Sequence, residues 1–169
     1  CANAATTSQQ DRDSFCPSRA PLKKTDPRKD RERISTTNQE KDGRLLELIR
    51  LVKKWNKVKN AKTIPPYLLE TMIVKYAESV AELSPYIDLR FTDALKYIAA
   101  NILGSIYDMK EIQGDVNSLS LSDRIVLKAK ALVDYEKACE AWQYDFTKNH
   151  KQAIRKWGEI FGSDFPEYG

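Results

Sequence analysis

Basic and aromatic side chains lie close together over a short stretch in the first half of the chain. The basic residues are Arg50, Lys53 and Lys54. Trp55 follows them, and Tyr67 ends a Pro-Pro-Tyr turn shortly afterwards. A lysine ammonium is a compact, flexible cation that suits triphosphate oxygens, and an exposed tyrosine at a helix start can stack on a nucleobase, a contact worth about 1–3 kcal/mol. These residues indicate a nucleotide site, although spacing alone favours a solvated basic face and a core tyrosine.

Residues for metal-dependent or nucleophilic catalysis are not brought together by the sequence pattern. Two-metal chemistry needs clustered carboxylates, typically on a sheet, and no segment has the pattern of a strand. Gly104-Ser105 follows an apolar helical stretch instead of opening a helix after a strand, so it lacks the context of a phosphate loop. Asp11 and Asp13 lie in a segment without apolar support, and His150 has no nucleophilic partner at a helpful spacing. We therefore predict no catalytic residue and no metal ligand in this chain.

Cysteine usage and hydropathy limit where the chain works. Cys1, Cys16 and Cys139 are an odd set without metal-binding spacing, which favours a reducing cytoplasm over zinc or disulfide roles. No apolar run approaches the roughly 20 residues of a membrane helix, and the amino end lacks a signal-peptide pattern, so we expect no membrane partner. Because the chain opens with Cys1 and not with Met, we expect a fragment or a processed product.

Charge is distributed unevenly along the chain. Residues 1–64 carry 16 Lys and Arg against 8 Asp and Glu, whereas residues 65–169 carry 12 against 16. A basic leading part suggests an anionic partner such as phosphate groups, and a solvated basic tail would have the same composition. A helical domain that binds nucleic acid is also compatible with this charge, but it would require a salt-sensitive, sequence-independent interaction, so we expect no nucleic acid partner.

The first 40 residues differ in composition from the rest. Residues 1–40 contain almost no large apolar side chains, and Pro17, Pro21 and Pro27 interrupt any helix, so we predict an extended or mobile lead-in. Residues 41–169 show helical apolar spacing and are predicted to form one helical domain.

Two of the predicted helices contain the basic and aromatic residues described above. The first runs from about Asp42 to Lys57, and its apolar stripe is Leu45, Leu48, Ile49, Val52 and Trp55. The second opens at Pro65-Pro66, because proline is tolerated in a first turn, and is predicted to end at Ser84-Pro85.

Three further helices complete the prediction. The third spans about 91–107, the fourth begins near Ser122 as its cap, and the last runs from about His150 to Phe161 with Gly162 as its carboxy-terminal cap. The predicted apolar stripe of the fourth helix is Val126, Leu132 or Val133, Ala138, Ala141 and Trp142. The fold class is therefore all-α, an irregular bundle of about five helices with an extended amino-terminal lead-in.

Several segments resemble a known group of nucleotidyltransferases. The strings LIRLVKKWN at 48–56 and IPPYLLETMIVKYAE at 64–78 are similar to the paired helices that open the carboxy-terminal domain of 2′-5′-oligoadenylate synthetases. Bacterial cyclic-oligonucleotide synthases of antiphage defence, which include cyclic GMP-AMP synthase-like enzymes, have a similar pair. Segments 22–38, 114–120 and 153–169 extend the resemblance to roughly residues 20–169.

The resemblance implies roles for individual residues. Lys53 matches the lysine that contacts the donor triphosphate, with Arg50 or Lys54 assisting, and Tyr67 matches the aromatic position near the donor base. Pro66 departs from the pattern, because many relatives carry Ser or Gln there. In the family a second lobe carries the Gly-Ser motif and three acids that bind Mg²⁺, and this lobe is missing here.

The resulting interpretation is a part of an enzyme. The complete protein would join nucleoside triphosphates into a cyclic oligonucleotide second messenger for antiviral defence, and this chain would form the helical wall of the donor pocket. Its partners would be nucleoside triphosphates and the missing catalytic lobe, and the chain alone would be inactive. The alternative is a stand-alone helical nucleotide- or protein-binding module without catalysis.

Overall fold

A computed structural model describes residues 27–58, 62–108 and 114–169. Within these ranges the chain forms six α-helices and a short 3-10 turn at Gly162–Asp164, and the only pairing of extended backbone is an isolated bridge between Tyr107 and Asp115. The helices are α1 Pro27–Glu40, α2 Arg44–Lys57, α3 Pro66–Ser79, α4 Ile87–Asn101, α5 Leu121–Phe146 and α6 His150–Phe161. The predicted all-helical fold class is confirmed.

Helix α1 lies where the sequence predicted an extended segment, so that prediction is wrong for residues 27–40. Pro27 is the first residue of the helix, a position at which its missing N–H has no intrahelical partner. Ile34 packs against the core, and the Arg33 guanidinium donates two hydrogen bonds of 2.8 Å to the Glu78 carboxylate on α3. Tertiary contacts thus stabilise a helix that has little apolar surface of its own. The remainder of the predicted lead-in lies outside the described residues.

The core forms where α2, α3 and α4 meet, and the predicted stripe of α2 is confirmed. The buried residues of this stripe are Leu45, Leu48, Ile49, Val52 and Trp55. The Trp55 ring meets Phe91 of α4 edge to face, with ring centroids 6.5 Å apart. The Trp55 indole N–H donates a 2.7 Å hydrogen bond to the Asp134 carboxylate on α5. A buried indole needs such a partner, so this bond links α2 to the distant α5.

Helices α3 and α4 end earlier than the sequence suggested. Helix α3 ends at Ser79, where Val80 takes an extended conformation, several residues before Ser84-Pro85. Helix α4 ends at Asn101 because the chain returns over its end. There the Asn117 amide donates hydrogen bonds of 2.8 Å to the carbonyls of Ile102 and Gly104. These bonds satisfy backbone acceptors that the helix leaves open.

Helix α5 buries a different face from the one predicted. Its buried residues are Leu127, Ala131, Asp134, Ala138 and Ala141. Of the predicted stripe, only Ala138 and Ala141 are buried, whereas Val126, Leu132, Val133 and Trp142 are 41–55% exposed. Small alanine side chains allow α5 to lie close to α4 and α6, and this close packing turns the larger apolar side chains outward.

The carboxy-terminal helix α6 completes the core. The Asn149 side chain caps its start by accepting from the Gln152 N–H, and Gly162 ends it with a positive φ of 78°, as predicted. Phe161 lies 5.1 Å from Phe91 and 5.8 Å from Phe165 between ring centroids, so the last residues of the helix pack on the core of the bundle. Among the described helices, none combines the length and the apolar character that a membrane span requires.

Candidate functional site

Helix α2 carries four cations outside its buried stripe. These cations are Arg50, Lys53, Lys54 and Lys57. Arg50, Lys54 and Lys57 lie three and four residues apart and share one face, because residues at these spacings are neighbours on a helix surface. Lys53 is partly buried and lies at the border between this face and the buried stripe. The face follows from the apolar pattern, since the residues that fill the core force the basic side chains outward.

Lys53 lies where α2 meets α3. Its ammonium forms an ion pair with the carboxylate of Glu70 on α3. The Lys53 side chain is 39% exposed and the Glu70 side chain 26% exposed, so the pair is accessible to solvent and to a ligand. The predicted cation is therefore neither buried in the bundle nor without a counterion.

Tyr67 occupies the first turn of α3, directly after Pro66. It is half-buried, and its hydroxyl donates a hydrogen bond to the buried carboxylate of Asp108. Glu70 follows Tyr67 by three residues, which places both on the same face of α3. Lys53 thus contacts a residue one turn away from Tyr67, while the bond to Asp108 holds the tyrosine ring in place.

Asn56 joins the end of α2 to the start of α3. Its side-chain amide donates to the Ile64 carbonyl at 2.8 Å and accepts from the Ile64 N–H at 2.9 Å. Both groups are buried, so the paired bonds satisfy polar atoms that would otherwise be costly to bury. This clasp joins the end of α2, which carries Lys53, to the segment that leads into α3.

Lys54 points to the other flank of α2. With Lys57 it lines a groove of about 380 Å³ against the end of α6, where the wall includes Phe161, Gly162 and Ser163. Lys53 and Lys54 therefore belong to different surroundings although they are neighbours in sequence. Arg50 is exposed on the face between these two flanks.

Sequence reasoning missed Asn56, Glu70 and Asp108. Asn56 comes directly after Trp55, the last residue of the buried α2 stripe. A buried polar side chain at the end of a helix indicates a hydrogen bond to the backbone. Glu70 lies within segment 64–78, which carries the resemblance. Its spacing of three residues from Tyr67 predicts that both side chains share one helix face. No sequence signal pairs Asp108 with Tyr67, because their contact depends on the path of the chain after α4.

The loop that precedes α5 is structural. The Asp115 carboxylate accepts hydrogen bonds of 2.9 Å from the backbone N–H groups of Asn117 and Ile106. These bonds, that of Asn117 first, hold the pKa of Asp115 below its usual 3.8. Asp115 therefore shapes the loop and has no feature of a reactive acid.

The described ranges 27–58, 62–108 and 114–169 contain no group of three or more His, Cys, Asp or Glu side chains that could hold a metal ion. Asp11 and Asp13 lie outside these ranges. His150 is exposed at the start of α6, and its Nδ1 lies 2.6 Å from the Asp145 carboxylate. This histidine therefore lies at the surface, at the start of the helix that the sequence predicted to begin near His150.

Comparison with known proteins identifies a homologue. No protein-family model matches the chain. The chain is 36% identical over 146 residues, or 86% of its length, to a probable cyclic nucleotide synthase of Bacillus cereus (strain VD146). It spans 44% of that relative's length, less than half. The resemblance stated from the sequence is thus confirmed by a homologue that is itself a probable cyclic nucleotide synthase.

Proposed function

From this homology to part of a probable cyclic nucleotide synthase, we propose that the chain is the helical part of a nucleotidyltransferase. The complete protein joins nucleoside triphosphates into a cyclic oligonucleotide and releases pyrophosphate. The α2–α3 junction forms one wall of the pocket for the donor nucleotide. The observation that supports this proposal is an accessible Lys53 at the junction, paired with Glu70, which lies one turn after an anchored Tyr67 on α3.

Each residue of the junction has a distinct task in this proposal. A hydroxyl of the acceptor nucleotide attacks the α-phosphorus of the donor, and the bond to pyrophosphate breaks. Negative charge grows on the departing pyrophosphate oxygens, and the Lys53 ammonium stabilises it. Tyr67 offers a ring face to the donor base, and Asp108 keeps that ring from rotating. Arg50 extends the positive field along α2.

Mg²⁺ would belong to the remainder of the complete protein. In the family that the chain resembles, acids on the second lobe hold the ions, and the described residues of this chain do not converge on a metal site. When bound, Mg²⁺ supplies Lewis-acid activation of the hydroxyl and neutralisation of the triphosphate. In antiphage defence the cyclic product would act as a second messenger.

Lys53 and Lys57 offer a matched pair for testing the proposal in the complete protein. Both are lysines of α2, one helical turn apart, and of the two only Lys53 lies at the α3 junction. We expect Lys53→Ala to lower kcat/KM for the donor triphosphate by about tenfold or more, because a charge-assisted contact is worth about 1.5–3 kcal/mol. Lys57→Ala should change it by less than about twofold. Equal losses in the two variants would contradict the assignment of Lys53.

A stand-alone binding module is the second candidate. The absence of a metal-holding cluster within the described ranges is compatible with a chain that binds nucleotides or a protein without catalysis. Sequencing the coding region upstream of Cys1 separates the two candidates. A Gly-Ser motif followed by Asp-x-Asp supports the synthase, and a start codon at this point supports the binding module.

A further inference from the structure

We propose that Glu70 is a positioning residue for the donor triphosphate. Its carboxylate aims the Lys53 ammonium from α3 and competes with the incoming anion. The inference rests on the proposed function and goes further, because it assigns the donor affinity to the balance between one lysine and its own counterion. Glu70 acts through Lys53 and does not touch the reacting atoms.

Lys53 differs from the other cations of α2. Within the described residues, Arg50, Lys54 and Lys57 have no ion-pair partner, whereas Lys53 has Glu70. A lysine side chain carries about 2 kcal/mol of rotamer entropy, which an exposed ammonium retains until a ligand orders it. The Glu70 carboxylate orders Lys53 before any nucleotide arrives, so part of that entropic cost is absent from binding.

The geometry of the junction makes this ordering specific. The Asn56–Ile64 clasp fixes α2 against the start of α3, and the Glu70 side chain is three-quarters buried at the contact. Glu70 therefore approaches Lys53 from a constant direction, one turn after Tyr67. An anion that reaches the ammonium from the exposed side meets a cation that Glu70 already holds against α3.

The same carboxylate lowers the attraction for anions. Glu70 offsets part of the local charge of Lys53, and a triphosphate must share or displace this partner. Replacing Glu70 by glutamine keeps the shape but removes the charge. The variant should therefore bind anions more tightly but orient the donor triphosphate less well for reaction. In the complete protein, both KM and kcat should be lower. A residue with only a structural role would not produce this split.

A double-mutant cycle with inorganic tripolyphosphate tests the inference on the chain itself. Calorimetric titration would compare the wild type, Glu70→Gln, Lys53→Met and the double variant. We expect Glu70→Gln to raise tripolyphosphate affinity about threefold, the size expected for a partly exposed ion pair. In the Lys53→Met background, the same change should have no effect beyond that of Glu78→Gln.

Glu78→Gln is the matched control, because Glu78 lies on the same helix and pairs with Arg33 of α1. It removes one negative charge without touching Lys53. Equal affinities of Glu70→Gln and Glu78→Gln, with Lys53→Met still weakening binding, would overturn the role of Glu70 and leave the proposed function standing. Wild-type binding no tighter than that of Lys53→Met would instead overturn the assignment of Lys53 on which both proposals rest.

Discussion

Single polar side chains hold together the connections between the helices of this molecule. Asn56 joins α2 to α3, and Asn117 and Asp115 hold the chain that returns after α4. Each bonds to backbone groups that no helix can satisfy. Such residues have few alternatives, since a buried donor or acceptor without a partner costs about 1–3 kcal/mol.

Asp115 should make the molecule sensitive to acid. Its pKa is lowered in the folded chain by the Asn117 and Ile106 N–H groups, so the charged form is favoured by folding. The resulting stabilisation is present above the ordinary pKa of 3.8 and is lost as pH falls through the lower, folded value. We expect the urea midpoint of the wild type to fall more below this pH than that of Asp115→Asn. Parallel pH profiles of the two proteins would exclude this role.

Lys130 should make the free energy of unfolding depend on pH in the alkaline range. Its ammonium lies 3.6 Å from the centroid of the Trp55 ring and 3.7 Å from Asp134. Burial lowers its pKa from 10.5 to about 8, although Asp134 acts in the opposite direction. Between these values the unfolded chain binds more protons, so the free energy of unfolding gains a rising contribution with pH.

The comparison of the wild type with Lys130→Met isolates this contribution. We expect the free energy of unfolding of the wild type to rise relative to the variant from pH 8 to 10.5, the two pKa values. Chemical denaturation across that range measures the difference. Tyrosines and other lysines titrate in both proteins and cancel, so identical slopes would show that Lys130 keeps an ordinary pKa.

At the scale of elements, α5 shows how a helix start is chosen between two similar residues. The sequence favoured Ser122 as the cap, but the Ser120 side chain accepts the 3.1 Å hydrogen bond from the Asp123 N–H. That bond satisfies one of the donors left open in the first turn. The start therefore lies two residues earlier than predicted.

Alanine substitution distinguishes the two serines. Ser120→Ala should destabilise the chain by about 1 kcal/mol, the usual cost of losing a cap. Ser122→Ala keeps the cap and should cost less than about half of that, since the Ser122 hydroxyl is hydrogen-bonded to the Ser120 hydroxyl and not to the helix backbone of the described residues. Urea unfolding of both variants provides the measurement. A larger loss of stability for Ser122→Ala would show that Ser122, and not Ser120, caps the helix.

Helices α2 and α5 contrast in how far their buried faces could be predicted. The stripe of α2 consists of large apolar residues and was identified correctly. The buried face of α5 consists mainly of alanines and includes Asp134, whose carboxylate receives the Trp55 indole bond. Apolar size was misleading for α5 because close packing against α4 and α6 selects small side chains.

At the scale of the whole molecule, the proposed function implies that this chain is catalytically incomplete. It spans 44% of its relative's length, and its described residues do not gather a metal-holding cluster. We expect the purified 169-residue chain to form no oligonucleotide from nucleoside triphosphates and Mg²⁺. Chromatography of labelled product measures this, with the complete protein as the positive control. Product from the chain alone would contradict the proposed division of labour.

The sequence by itself determined the helical class, the buried stripe of α2 and the cationic face opposite it. These properties depend on residue spacing within one helix, so the local periodicity of the sequence is enough to predict them. It also supplied Lys53 and Tyr67 as candidates, through their resemblance to known nucleotidyltransferases.

Only the tertiary structure decided the helical state of Pro27–Glu40, the buried face of α5 and the partners of the candidate residues. Lys53 meets Glu70 across 17 residues of sequence, and Trp55 meets Asp134 across 79. Such pairs depend on how whole helices pack together, because the partner of each side chain lies on another helix. The local sequence around a residue does not specify which helix that is.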